Sequence, residues 1–337
     1  MSEGRQGPRV LVTDYAWPTL DPEKEILGRI GASLMVASTG EEDELVEMAP
    51  RADAILTCWK AVSTRTIREA ARCRIIARYG IGLDNIDIPF ATEQGVIVTN
   101  VPAYCLEEVT DQALALLLAS ARKVVLFDRE AKAGRYGMAP GRPIFRIRGR
   151  TLGIVGFGKI GRTLGRKARG LGLKIAAFDP YLDDATVREQ GAEPMKLDRL
   201  MEVSDYISIH VPLNDETHHL FNRDAFRRMR PEAFLINTSR GAVVDTAALV
   251  EALDAGEIAG AGLDVLPQEP PDPDDPVVLH PKVIITPHAS FYSQESLLEL
   301  QTTAARQVAD VLSGKVPDWV VNPDVLGRSS LRATIAS

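Results

Sequence analysis

The hexad Gly156-Phe157-Gly158-Lys159-Ile160-Gly161 follows the apolar run Leu152-Gly153-Ile154-Val155 and opens a helical pattern over residues 160–171. Alone, this spacing is common in glycine-containing turns. Between a strand and a helix it has a physical use. Gly156 permits a tight turn, Gly158 lets the backbone approach a pyrophosphate, and Gly161 allows close packing of helix on strand. The first N–H groups of the helix, around Lys159 and Ile160, have no intrahelical acceptor and favour an anion. A second strand, residues 174–178, ends at Asp179, at a spacing suited to a carboxylate that binds the ribose 2′- and 3′-hydroxyls. That carboxylate repels a 2′-phosphate, so the expected dinucleotide is NAD rather than NADP.

Hydride exchange with an alcohol needs a base for the hydroxyl proton and a cation for an anionic substrate. His288, in Pro-His-Ala-Ser-Phe-Tyr-Ser after Val283-Ile284-Ile285-Thr286, is a candidate base. A histidine packed at the end of a strand would read the same way. Arg240 in Ile236-Asn-Thr-Ser-Arg-Gly241 sits just past a strand, where open parallel sheets bind ligands. Its planar fork suits a carboxylate, although an arginine capping the next helix has the same signature. Glu269, in the Pro-rich segment 265–271, is by composition a loop acid. Beside an imidazole, a carboxylate favours the protonated ring and fixes its tautomer. His210 precedes Val211-Pro212 at a strand end and is expected to line the dinucleotide cleft. His218 and His219 lie in a polar loop, and His280 in a Pro-rich turn.

These groups need a scaffold, and the 337 residues, 45% hydrophobic and 25% charged, supply one. The length suggests two domains. Short apolar strands at residues 10–12, 54–56, 75–77 and 96–98 alternate with polar helical segments such as 64–71. Continuous apolar strands between helices imply a parallel sheet covered on both faces. A long helix is expected over residues 106–133, then a basic Gly/Pro-rich loop over 134–150. A second α/β series follows, with strands near 152–155, 174–178, 206–210, 233–236, 262–265 and 283–286. A final helix, near 294–313, comes after that series and suggests a return to the first unit. The last ten residues read as a polar tail.

A net charge of −7 and a sequence pI near 5.4 argue against nucleic acid or an anionic membrane as partner. The basic cluster Arg162, Arg166, Lys167 and Arg169 has helical spacing and reads as a solvated face. Cys58, Cys73 and Cys105 lack metal-ligand spacing, and no metal is expected. Reduced thiols and an N-terminus without an apolar signal core point to the cytoplasm. The apolar run 113–119 is too short to span a bilayer and reads as a buried helix.

Taken in order after GFGKIG, the segments INTSRGAVVD, GLDVLPQEPP and ITPHASFY, together with RYGIGLDNIDI at residues 78–88, resemble the D-isomer-specific 2-hydroxyacid dehydrogenase family. The resemblance runs from about residue 10 to residue 323. DIPFATEQGVIVTNVPAYCLEEVTD and HASFYSQESL are similar to the branch holding the C-terminal-binding-protein corepressors, their bacterial relatives and phosphoglycerate-dehydrogenase-like proteins. The resemblance implies two doubly wound parallel α/β domains with a cleft between them. A Rossmann NAD domain, 103–292, would be inserted into a discontinuous flavodoxin-like substrate domain, 1–102 and 293–337. It implies a homodimer through the NAD domains and interconversion of a small D-2-hydroxy acid and its 2-oxo acid. The catalytic positions fall on Arg240, Glu269 and His288. Asp264 matches the acid near the nicotinamide carboxamide, and Thr238, Ser239, the His210-Val211-Pro212 turn and Thr217 match residues bordering the cofactor. Backbone of Ile81 and Gly82, with Arg78, matches the loop that cradles the substrate carboxylate, and Tyr104 and Phe291 match pocket walls. Phe291 is a departure: the corepressor branch often has tryptophan there, so an indole N–H is lost. Trp59 and Lys60 read either as lining the cleft, with Lys60 meeting a second anionic group, or as a solvated loop. A dinucleotide-sensing scaffold without turnover and a same-fold enzyme acting on phosphite are the alternatives; formate has no hydroxyl proton for a base to remove.

Overall fold

The computed structural model describes residues 7–335. The start of the N-terminal stretch read above for a signal core, and the last two residues of the tail, lie outside the described residues. Contacts divide the chain into two compact units, one running to Tyr104 and resuming at Ser293, the other spanning Cys105–Tyr292.

In the first unit the strands are β1 (Arg9–Val12), β2 (Ser33–Val36), β3 (Ala54–Thr57), β4 (Ile75–Arg78) and β5 (Ile97–Thr99). They form one sheet in the order β2-β1-β3-β4-β5 with every pairing parallel. Parallel neighbours require crossovers, and the helices that make them cover both faces; this is why β3 reads as an unbroken buried run, Ala54-Ile55-Leu56-Thr57. β2 went unread in the sequence because Ser33-Leu34-Met35-Val36 sits at the sheet edge and buries no residue fully.

In the second unit the strands are β6 (Thr151–Val155), β7 (Lys174–Phe178), β8 (Glu193–Pro194), β9 (Tyr206–Ile209), β10 (Phe234–Asn237), β11 (Gly260–Leu263) and β12 (Val283–Ile285). The order is β12-β11-β10-β9-β6-β7-β8, again parallel throughout. Removing β12 leaves the doubly wound dinucleotide-binding order, with its switch point between β6 and β9. Leu152 and Ile154 pack with Leu116, Leu117 and Leu164 on one face, and Val155 packs with Ile207, Ile209 and Leu249 on the other.

Three sequence expectations change. The helix expected over 106–133 is two helices, Leu106–Arg122 and Val124–Lys132, broken at Lys123. Lys123 takes φ +56, caps the first helix through its N–H and places its ammonium 4.5 Å from the Phe234 ring centroid. The basic face of helix Lys159–Gly170 is solvated only in part: Arg166 and Arg169 are exposed, whereas Lys167 reaches Glu107 at 2.7 Å and Asp111 at 2.6 Å. The tail, described to residue 335, is docked within the first unit, and Asn322 ahead of it is bonded to β5 and its approach. Asn322 accepts from the Val98 N–H at 2.8 Å and donates to Thr92 and the Val96 carbonyl. Arg332 donates to the Ala70 carbonyl at 2.7 Å. Among the described residues no helix is long and apolar enough to cross a membrane.

Candidate active site

The glycine hexad forms the turn from β6 into helix Lys159–Gly170, as its spacing suggested. Gly156 has φ +90, and a Cβ there would stand 2.6 Å from the His210 carbonyl oxygen. A Cβ on Gly161 would stand 2.3 Å from the Gly156 carbonyl oxygen, so only glycine lets the helix approach the turn. At Gly158 nothing lies within 4 Å of the Cβ position. Gly158 is also the N-cap and brings no side chain to the first N–H groups, those of Lys159 and Ile160 among them. The result is an open, uncapped helix start of the kind that receives phosphate oxygens.

Asp179 follows β7. Its Oδ2 accepts the Phe157 N–H at 2.8 Å and its Oδ1 accepts the Tyr181 N–H at 3.0 Å, so the carboxylate ties the glycine turn to the next loop. His210 leaves β9 with its Nε2 2.9 Å from Ser208 Oγ, and burial pushes its imidazole down to about 4, leaving it neutral near pH 7. The Val211-Pro212 turn continues into a loop that Thr217 closes on itself, its hydroxyl donating to the Pro212 carbonyl at 2.6 Å. Thr238, just past β10, is buried with no hydrogen-bond partner for its hydroxyl among the described residues. Ser239 is engaged with Asn237 at 2.8 Å. An open glycine turn, an uncapped helix start and an orphaned hydroxyl at the strand ends fit a dinucleotide.

The three candidate catalytic side chains gather in this same unit. His288 follows β12 with φ +50, a left-handed conformation rare for a residue with a Cβ. Asp264, just past β11 and 1% exposed, holds that conformation in place. Its carbonyl accepts the His288 N–H at 2.8 Å, its Oδ1 accepts the Ala289 N–H at 3.1 Å, and its Oδ2 accepts the Ser290 N–H at 2.9 Å. Thr286 donates its hydroxyl to the same carboxylate and accepts from Gln112 at 3.0 Å. Asp264, expected beside the cofactor's carboxamide, is bonded within the chain to the turn that carries the histidine.

His288 Nδ1 lies 2.6 Å from Glu269 Oε2, and Glu269 Oε1 accepts the Leu266 N–H at 2.9 Å. Burial pushes the Glu269 carboxyl up, but the hydrogen bond and charge of His288, the Leu266 N–H and the Arg240 charge outweigh it and hold it below its ordinary value. An ionised Glu269 makes Nδ1 the donor and leaves Nε2 as the ring atom that can exchange a proton. Phe291 stands edge-on to the imidazole, ring centroids 6.3 Å apart. Arg240 leaves the end of β10 and donates to the Ser239 carbonyl at 2.8 Å. A Cβ on Gly241 would stand 1.9 Å from the Leu266 carbonyl carbon, so the arginine's turn packs directly on the loop carrying Glu269.

The remaining candidates belong to the first unit. Ile81 and Gly82 follow β4, and among the described residues their N–H groups make no hydrogen bond, whereas the Ile81 carbonyl accepts from Asn100 at 2.8 Å. Both residues are partly buried and lie in one turn, where unengaged N–H groups can offer hydrogen bonds to an anion. Arg78 folds beneath the turn and donates to the Tyr79 carbonyl. Tyr104, the last residue of that unit's first segment, is buried. Lys60 pairs with Glu41 at 2.6 Å, and Trp59 is 44% exposed. Sequence reading passed over Asp14, which accepts the N–H groups of Cys58 at 3.0 Å and Trp59 at 2.8 Å and so shapes their loop. An acid just past a buried strand was the available signal.

The D-isomer specific 2-hydroxyacid dehydrogenase NAD binding domain matches residues 114–290. The glyoxylate reductase of Korarchaeum cryptofilum is 40% identical over 287 residues, covering 84% of this chain and 86% of that protein. The crystal structure of the TT0316 protein from Thermus thermophilus superposes with a TM-score of 0.84 at 31% identity, over 93% of this chain and 99% of that one. The D-lactate dehydrogenase of Aquifex aeolicus, solved with NAD and lactic acid, gives a TM-score of 0.82 at 25% identity over 95% of this chain and 97% of that one.

Proposed function

The chain belongs to the D-isomer specific 2-hydroxyacid dehydrogenase family, and we propose that it reduces a small 2-oxo acid to the D-2-hydroxy acid with NADH, His288 giving the proton. The observation that carries this reading is the 2.6 Å bond between His288 Nδ1 and Glu269 Oε2, which makes Nδ1 the donor and so sets the tautomer of the ring.

NADH held by the glycine turn and its neighbours would supply a hydride to the substrate. The N–H groups at the start of helix Lys159–Gly170 hold the pyrophosphate. Asp179 takes the ribose hydroxyls and disfavours a 2′-phosphate, and Thr238 offers its unengaged hydroxyl. Within the NAD unit Arg240 binds the carboxylate of the oxo acid and polarises the C2 carbonyl; within the first unit the N–H groups of Ile81 and Gly82 are donors suited to carboxylate oxygen. His288 Nε2 delivers its proton to the oxygen on C2 as the alkoxide develops. Glu269 balances the imidazolium and fixes its orientation. The reverse reaction uses the same groups, with Nε2 as base.

The test is loss of NADH absorbance against glyoxylate, hydroxypyruvate, phosphohydroxypyruvate and phenylpyruvate. Turnover of at least one is expected, and the winner defines the pocket. Tight NADH binding with silence across the panel would contradict the reading.

We also propose that the working form, in the cytoplasm, is a homodimer through the NAD units. Helix Val124–Lys132 buries none of its residues, Val124 is 55% exposed, and Tyr136 and Met138 beyond it are 98% and 72% exposed. Beside them lies a cavity of about 520 Å³ whose lining includes Leu126, Pro143, Phe145 and Phe234. Apolar surface of this kind is characteristic of a subunit interface. Light scattering should give twice the monomer mass, and Val124→Asp should lower it; a monomeric wild type would end the idea.

A further inference from the structure

The first unit contains a buried acid that the reaction above does not use. Glu23, on helix Asp21–Gly28, is 0% exposed. Its Oε1 accepts the Tyr79 hydroxyl at 2.9 Å, and its Oε2 accepts the Gln301 amide at 2.9 Å. Gln301 belongs to helix Gln294–Leu312 and also donates to the Thr19 carbonyl at 2.9 Å. Tyr79 is itself 0% exposed, its ring edge-on to Trp17 with centroids 4.8 Å apart. One carboxyl thus joins two helices to the residue that follows β4.

A core position gains little stability from such a group. Burial pushes the Glu23 carboxyl above its ordinary value, against hydrogen bonds from its own backbone, Tyr79 and Gln301. Removing a carboxyl from water is costly, and apolar residues of similar volume often stabilise as well. What a paired acid supplies and an apolar residue does not is a directional hold on its donors. The donor here is placed for function, because the residue after Tyr79 begins the turn with the free Ile81 and Gly82 N–H groups. The Tyr79 backbone is fixed from both sides. Its N–H donates to the Thr57 carbonyl at 2.8 Å, and its carbonyl accepts from Arg78 and from Cys58 Sγ at 3.8 Å. Gly80 then turns with φ +141, and its carbonyl accepts the Val101 N–H at 3.0 Å.

We propose that Glu23 is a positioning residue for substrate binding: through the Tyr79 hydroxyl it fixes the turn whose Ile81 and Gly82 N–H groups receive the substrate carboxylate. This rests on the carboxylate-binding role assigned to that turn above. Glu23 touches no reacting atom. Its loss would therefore appear in affinity for the oxo acid and leave the proton step at His288 intact.

The experiment titrates oxamate, an unreactive 2-oxo acid mimic, into the NADH-saturated full-length protein. Wild type is compared with Glu23→Gln, Tyr79→Phe and the double variant, with KM and kcat measured alongside. Each single variant should weaken oxamate binding and raise KM for the oxo acid roughly 5- to 30-fold, the range for one directional hydrogen bond lost from a buried site. Both kcat and NADH affinity should stay within about twofold, and the double variant should lose no more than either single one, because the two residues act through one bond. Tyr79→Phe removes a single oxygen and keeps the test open should Glu23→Gln fail to fold. Unchanged oxamate affinity in Tyr79→Phe, with only the melting temperature lowered, overturns the proposal. A wild type that binds oxamate with the expected dependence yet reduces no oxo acid contradicts the proposed reaction and leaves Glu23 its role. A wild type that binds no oxamate overturns both.

Discussion

His288 sits at φ +50, a conformation that costs an L-residue on the order of 1–2 kcal/mol. The chain holds it there through Asp264, whose carbonyl and both carboxylate oxygens are engaged by residues 286–290. The backbone aims the ring, and Glu269 sets its tautomer. Sequence reading could single out His288 and Arg240 by type and place, each with a bland alternative beside it. Glu269 carried no local signal, because its pairing with His288 joins residues 19 positions apart through two loops. Glu23 is a stronger case: nothing near it in the chain hints at partners 56 and 278 positions away. Replacing Glu269 by Gln keeps the shape and removes the charge. In that variant kcat should fall roughly 10- to 1,000-fold, the scale of impaired general acid catalysis, with NADH affinity unchanged. The native carboxyl ionises below its ordinary value, so its contribution to stability is full above the unfolded carboxyl's range and lost as pH falls through the folded one. The Gln variant should lose that acid dependence. Wild-type kcat in Glu269→Gln would remove the pair from the mechanism.

At the scale of elements, periodicity was readable where burial is regular, as along β6 and β7 and on the one buried face of helix Lys159–Gly170. It failed at Lys123, where a left-handed residue splits a pattern that stays apolar on both sides, and at the edge strand β2. The docking of the tail was also unreadable, since Arg332 bonds to the Ala70 carbonyl and to Gln94, both more than 230 positions away in the chain. The glycine turn allows its two roles to be separated. Gly161→Ala forces a Cβ to within 2.3 Å of a carbonyl oxygen and should destabilise the fold by about 1–3 kcal/mol, as overpacking does. Gly158→Ala meets nothing within 4 Å and should leave the melting temperature within a degree or two while weakening NADH binding severalfold, because the methyl enters the space for the pyrophosphate. Thermal melts and NADH titrations of both variants decide this. Equal losses of stability would show that the turn is only structural.

For the whole molecule, the two-sheet α/β class followed from the rhythm of apolar strands and helices, which is set by burial on both faces of each sheet. The order of strands within a sheet was beyond reach of that rhythm, because it depends on which crossovers go which way. Stability against pH is also a property of the whole chain, and His210 should shape it. Burial pushes its imidazole from 6.5 down to about 4, so between those values the unfolded chain binds a proton that the native protein does not. Its contribution is therefore complete above pH 6.5 and lost as the pH falls toward 4. The urea midpoint of wild type should decline across this window more steeply than that of His210→Asn; parallel curves would contradict the buried neutral ring. The most direct test of the account is a comparison of His288→Ala with wild type on the best oxo acid, with kcat from NADH absorbance and NADH affinity from fluorescence titration. The expected result is a kcat lower by roughly two to four orders of magnitude with NADH affinity unchanged, the signature of a lost proton donor. A variant that turns over at the wild-type rate would contradict it.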